Sequence, residues 1–241
     1  MEILQISVEK LSNSMRIYAE NSANFHGLRN IDQEEAINNL DRAFESKLEA
    51  FHSLYDISKG YINYFDFADT TLLVVLRNAI HHRDHLLFKS WNSEMHLNGG
   101  MENMSGAAFL LVNHEIKNAL KPSEYYYKLD DILDRLDENR GSPYLERIMS
   151  KANRAKALQL ILRDLGLDSC IEKAEDDGYP SHQIYVNIIP IYVSAIKRVF
   201  SKLDEIDVNF KGFDTGVYLE HFTGLPDIDM KYLEYKELRL P

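Results

Sequence analysis

A single cysteine, Cys170, stands in 241 residues. No internal disulfide can form, and no cysteine metal cluster can assemble within one chain. A reducing compartment suits such a sequence, and Cys170 reads as a structural thiol. Long apolar runs are also missing. None approaches the roughly 18 residues that a membrane-spanning helix needs, so no membrane partner is expected. The start, Met1-Glu2-Ile3-Leu4-Gln5, lacks the basic and continuously apolar regions of a signal peptide, and a soluble, cytoplasmic protein is expected. Positive charge is scarce, with 27 Lys and Arg against 38 Asp and Glu, a net charge of −11. Phosphate neutralisation supplies most non-specific nucleic-acid affinity, so a general nucleic-acid coat is excluded. Gly99-Gly100 lacks the pattern of a phosphate-binding loop, and Ser105-Gly106 lacks the context of a nucleophile elbow. Internal repeats, low-complexity segments and long linkers are absent.

What the chain has is helical patterning. It is 45% apolar, enough to bury a sizeable core. Leu4, Val8, Leu11, Met15 and Tyr18 step by 4, 3, 4 and 3, the stripe of an amphipathic helix over 2–23. The polar stretch 24–30, with Gly27, reads as a loop. Asp32 with Glu35 three residues on reads as a capping box opening a helix to about Ser58, with Ile37, Leu40, Phe44, Leu48, Phe51 and Tyr55 as its buried stripe. A third helix is expected from Asp66 or Asp69 to about Trp91, and Asn98-Gly99-Gly100 breaks the pattern. The apolar run 107–112 fits a strand or a buried helical turn equally. Further helices are expected from Pro122-Ser123 to Leu136, with Tyr125-Tyr126-Tyr127 at its start, from Pro143 to about Leu165, and from Gln183 to Ile206 with a kink at Pro190. The expectation is an all-α fold: one helical domain over 1–208, with extra C-terminal helices and an irregular tail over 209–241 packed on it.

The stretch 72–87 carries the chemistry. On a helical wheel Leu72, Val75, Leu76, Ala79, Leu86 and Leu87 share one side, while Arg77, Asn78, His81, His82 and His85 fill an arc on the other. Arg83 falls on the apolar side without explanation from the wheel. Three of the nine histidines lie within these few residues. Imidazole gives and takes protons near neutrality, and a guanidinium grips phosphate through a permanently charged fork. RNA brings its own nucleophile, the 2′-hydroxyl, so such a set suffices to cut a phosphodiester without a metal or other cofactor. A second basic feature lies in residues 140–163, where six Lys or Arg face Glu146 alone. Arg147, Lys151 and Arg154 are spaced to share one helical face, a candidate nucleic-acid contact or simply a solvated surface.

The segment Arg77-Asn78-Ala79-Ile80-His81-His82 resembles the R-x4–6-H motif of HEPN-domain proteins, including the polar residue directly after the arginine. The resemblance covers roughly the first two thirds of the chain and implies an antiparallel helical bundle. It further implies a metal-independent endoribonuclease, in many members a toxin or phage-defence effector, that leaves 2′,3′-cyclic phosphate ends. The family's site forms between two protomers, so a homodimer is implied, with an antitoxin or regulatory protein as a further partner. Carried onto this chain, Arg77 would hold the scissile phosphate, His82 would transfer protons, and Asn78 would orient substrate or imidazole. His81 and His85 are additional members of the same face, and the wheel does not decide between His81 and His82. Some members carry a tyrosine two positions after the motif histidine as the target of a partner nucleotidyltransferase. That position is Asp84 here, so this regulation is not expected.

Three other readings fit the same residues. One is a solvated helix face that happens to be histidine-rich. Another is a helical module of this type that binds RNA or protein without cutting. The third is a metal site built on His81 and His85 with His96 or His114-Glu115. The adjacent arginines and the missing His-Glu-x-x-His pattern argue against the metal.

Overall fold

The computed structural model describes residues 2–81, 87–116, 123–225 and 228–241. In chain order the described elements are α1 (Glu2–Arg29), α2 (Gln33–Ser58), α3 (Ala68–His81), α4 (Trp91–His96), α5 (Gly100–Asn103), β1 (Ala108–His114), β2 (Tyr126–Lys128), α6 (Leu129–Leu136), α7 (Lys151–Asp164), α8 (Leu167–Asp177), β3 (Ile184–Asn187), α9 (Ile188–Glu205), α10 (Phe213–Gly224) and β4 (Leu233–Arg239). The fold is therefore mixed α/β, helix-dominated but built on a four-stranded sheet. This corrects the all-α bundle expected from sequence.

The chain divides into two compact units, Met1–Asp66 with Tyr192–Asp227, and Phe67–Ile191 with Ile228–Pro241. The first is helical. The α1 and α2 helices pack side by side, joined by a turn in which Asp32 caps α2 by accepting from the Glu35 N–H at 2.9 Å, as the capping box foretells. Leu4, Val8, Leu11, Met15 and Tyr18 are all buried, as are Ile37, Leu40, Phe44, Leu48 and Phe51. The α1 helix runs on through the expected 24–30 loop, because Gly27 in an exposed turn costs less than the packing gained around the buried Phe25. The α10 helix ties to α1 through Arg16 Nε and Asp214 Oδ2 at 2.9 Å. Lys47 is 2% exposed, its Nζ held over the rings of Tyr18, Phe44 and Tyr192 at 3.5, 4.4 and 4.2 Å.

The second unit holds the sheet, in the order β2-β3-β1-β4. Its centre is β1, parallel to β3 with Leu111 opposite Tyr185, and antiparallel to β4 along its whole length. Buried on both faces, Phe109–Val112 reads as a continuous apolar run, which is why periodicity could not distinguish strand from helix there. The edge strand β4 interleaves Glu, Lys and Arg with its apolar residues, a pattern that discourages pairing with other chains.

Several boundaries move for local reasons. Tyr126 and Tyr127 open β2 rather than a helix, with Tyr125 just before it, since Tyr126–Lys128 pair with Tyr185–Asn187. The segment Gln183–Ile206 splits into β3 and α9 at Asn187. The buried Asn187 Oδ1 accepts from the N–H groups of Tyr125 and Ile189, both at 3.0 Å, and its Nδ2 donates to Asn113. Pro190 thereby falls in the first turn of α9, where a missing N–H costs nothing, and the expected kink has no cause. The helix expected from Pro143 begins only at Lys151, capped by Ser150. The tail is not irregular, because it supplies α10 and β4.

Candidate functional site

The first half of α3 is buried on every side, Ala68 through Leu76 without a break. An amphipathic wheel therefore describes only its last turns. Arg77 and Asn78 are half-buried, Ala79 is buried and His81 is exposed. Within its unit α3 packs on α7 and α6. The apolar half anchors the helix, so its C-terminal turn presents Arg77, Asn78 and His81 from a rigid base. The buried Nε of Arg77 finds no hydrogen-bond partner among the described residues. A desolvated guanidinium N–H without an acceptor is costly, and an anionic oxygen is the acceptor best matched to it. His82 and His85, the other imidazoles expected at this site, lie outside the described residues, as does Leu86. The expected continuation of α3 to Trp91 is corrected. Residues 87–90 are not helical, and Ser90 caps a separate helix, α4, by accepting from the Ser93 N–H.

The basic face resolves differently from its sequence spacing. Arg147 precedes α7, so it does not share a helical face with Lys151 and Arg154. Arg147 and Lys151 are exposed. Arg154 is turned to structural work, donating from Nη1 to the carbonyls of Glu146 and Met149 at 2.9 and 2.6 Å. Lys151 Nζ meets Glu138 at 3.1 Å. Between them lies a cleft of about 370 Å³ with Leu136, Leu158 and Leu162 in its lining and Glu138, Lys151 and Arg154 at its polar side. Glu138 already answers part of that positive charge.

Sequence reasoning passed over a third cluster. Lys128 Nζ pairs with Glu94 Oε1 at 2.5 Å, and the Tyr185 hydroxyl donates to Glu94 Oε2. Nearby, Asp131 Oδ2 accepts from the Phe88 N–H at 2.8 Å. Burial pushes the Asp131 carboxyl up to about 6, the Phe88 N–H and Lys128 pulling the other way. Burial and the Glu94 carboxylate likewise push the Tyr185 phenol up. Gly100 keeps α4 and α5 in register, since a Cβ there would lie 1.7 Å from the Glu94 carbonyl oxygen. These side chains come from α4, from the junction of β2 and α6, where Lys128 and Asp131 are three residues apart, and from β3, and no local spacing signals the meeting of these three segments.

Among the described residues no group of three or more His, Cys, Asp or Glu could hold a metal ion. His114 is fully buried, and its Nε2 meets the Leu165 carbonyl at 3.0 Å. No described helix is long and apolar enough to cross a membrane. No family model matches the chain, and no curated protein or solved structure matches it either.

Proposed function

We propose that the protein is a metal-independent endoribonuclease of the HEPN type, acting as a homodimer on RNA. The observation that supports it best is Arg77, a half-buried guanidinium with an unanswered Nε, one turn from His81 and five residues before His82. In this reading a histidine removes the proton from a ribose 2′-hydroxyl, and the oxygen attacks phosphorus. The P–O5′ bond breaks, and a second histidine, from the partner protomer, protonates the leaving oxygen. Arg77 carries the charge that builds on the phosphate, and Asn78 orients the imidazole or the ribose. The products are a 2′,3′-cyclic phosphate and a 5′-hydroxyl. Such an activity suits a toxin or phage-defence effector of the cytoplasm, held in check by an antitoxin or regulatory protein. The four-stranded sheet lies outside the bundle that the resemblance implies, so the proposal rests on the motif and its helix rather than on the whole fold.

The test is cleavage of RNA in EDTA by wild type, Arg77→Ala and His82→Ala, with end-group analysis of the products. Cyclic-phosphate ends from wild type, with cleavage reduced about 10²- to 10⁴-fold in His82→Ala, support the reading. Equal cleavage by both variants and wild type sinks it, and a strictly monomeric protein at micromolar concentration removes the composite site. A second reading, a helical module that binds RNA or protein without cutting, would rest on the exposed Arg147 and Lys151 near the start of α7, with Arg154 held by the chain itself. RNA binding by wild type without cleavage would favour it.

A further inference from the structure

Arg154 uses only one side of its guanidinium. Its Nη1 donates to the carbonyls of Glu146 and Met149. The other edge, Nε with Nη2, makes no hydrogen bond among the described residues. That edge is the fork that takes a carboxylate through two parallel N–H groups. Arg163 displays the same arrangement, with Nε and Nη2 on the two oxygens of Asp164 at 2.6 and 3.0 Å. The Arg154 side chain is only 11% exposed, and a buried N–H without an acceptor is costly.

The fork belongs to the cleft between the end of α6 and α7. Lys151, Arg154, Leu158 and Leu162 step by 3, 4 and 4, so α7 lays two cations and then two leucines along one ridge. Leu136, the last residue of α6, joins the leucines in the lining. At about 370 Å³ the cleft has the size of a small-molecule site. Two carboxylates share it. Asp137 is engaged locally, its Oδ1 accepting from the N–H and Nδ2 of Asn139 at 2.9 and 3.0 Å. Glu138 is exposed and stands 3.1 Å from Lys151 Nζ and 3.9 Å from Arg154 Nη2. The second distance is short enough to attract and too long for a hydrogen bond. The chain's own carboxylate thus stands at the fork without closing on it.

We propose that this cleft binds a small monocarboxylate with an unbranched apolar tail. Glu138 swings to solvent, the two ligand oxygens take Nε and Nη2 of Arg154, and Lys151 flanks them. The tail lies along Leu158, Leu162 and Leu136. A bare anion would leave the leucines uncovered, and a neutral apolar molecule would leave the fork unanswered. The site uses none of the residues of the ribonuclease reading and stands or falls without it.

The experiment is a titration of octanoate, below its micelle-forming concentration, into the ¹⁵N-labelled full chain, followed by NMR. The Arg154 Nε–H signal and the α7 amides should shift together and saturate. Each methylene removed from the tail should weaken binding about two- to fourfold. Glu138→Gln removes the competing carboxylate and should tighten binding about two- to fivefold. Leu158→Asp should weaken it about tenfold. Because Arg154 also holds the turn before α7, the decision rests on these two variants, whose positions are not buried. Octylammonium and 1-octanol should each bind at least tenfold more weakly than octanoate. No saturable shift with octanoate in wild type or Glu138→Gln overturns the proposal. So does weaker binding in Glu138→Gln, or octylammonium binding as tightly as octanoate, which would make the acidic residues the recognising groups.

Discussion

Arg135 Nη2 meets Glu146 Oε2 at 2.5 Å with the two side chains 3% and 1% exposed. The pair is stitched into its surroundings. Arg135 Nη1 donates to the Tyr144 carbonyl at 2.8 Å, and Glu146 Oε1 accepts from the Ile148 N–H at 2.9 Å. Together they fasten the end of α6 to the turn before α7. Removing one partner strands a buried charge, at a cost of about 3–5 kcal/mol, whereas replacing both with apolar residues costs far less. Arg135→Met and Glu146→Leu singly should each lower urea stability by that order, and the double variant should recover most of it. Single variants within about 0.5 kcal/mol of wild type, the range of an ordinary surface change, would show that the pair does not hold this turn.

Lys47 sets a second expectation, one of pH. Burial lowers its pKa well below the usual value near 10.5, although three aromatic faces attract the ammonium. Between the lowered value and the usual one, the unfolded chain binds the proton and the native chain does not. Stability therefore rises with pH across that window and is lost as pH falls through it. Lys47→Met should melt higher than wild type at pH 7, and the advantage should shrink toward pH 10.5. An advantage that does not change with pH would mean that the lysine keeps its charge inside the helices.

The basic residues near α7 should separate into two kinds. Arg154→Ala removes two hydrogen bonds to carbonyls and should cost about 1–3 kcal/mol in thermal or urea unfolding. Arg147→Ala, at an exposed position, should leave stability within about 0.5 kcal/mol. If Arg147 contacts RNA phosphate, its loss should reduce the slope of log affinity against log salt by about 0.7 for a single strand. An unchanged slope removes Arg147 from the RNA-contacting residues.

The long helices were legible because their signals are local. The capping pair Asp32 and Glu35 and the stripe from Ile37 to Phe51 lie within a few turns of one another, and tertiary packing only completed what their spacing began. The polar end of α3 was legible for the same reason, since Arg77 and His81 are neighbours on any helix. The sheet was not. Both faces of β1 are covered, which erases the alternation that would mark a strand, and its partners β3 and β4 lie more than seventy residues further along the chain.

By itself, then, the sequence determined what depends on neighbours along the chain: the absence of an internal disulfide, the acidic balance, the apolar stripes of α1 and α2, and an arginine–histidine pair at the end of α3. Only the tertiary structure decided what depends on distant residues meeting: the four-stranded sheet, the diversion of Arg154 to the carbonyls before α7, and the displaced carboxyl of Asp131. That last property arises because burial is a property of the surroundings. Lys128 is a neighbour along the chain, but Phe88, Glu94 and Tyr185 are brought to Asp131 only by the fold.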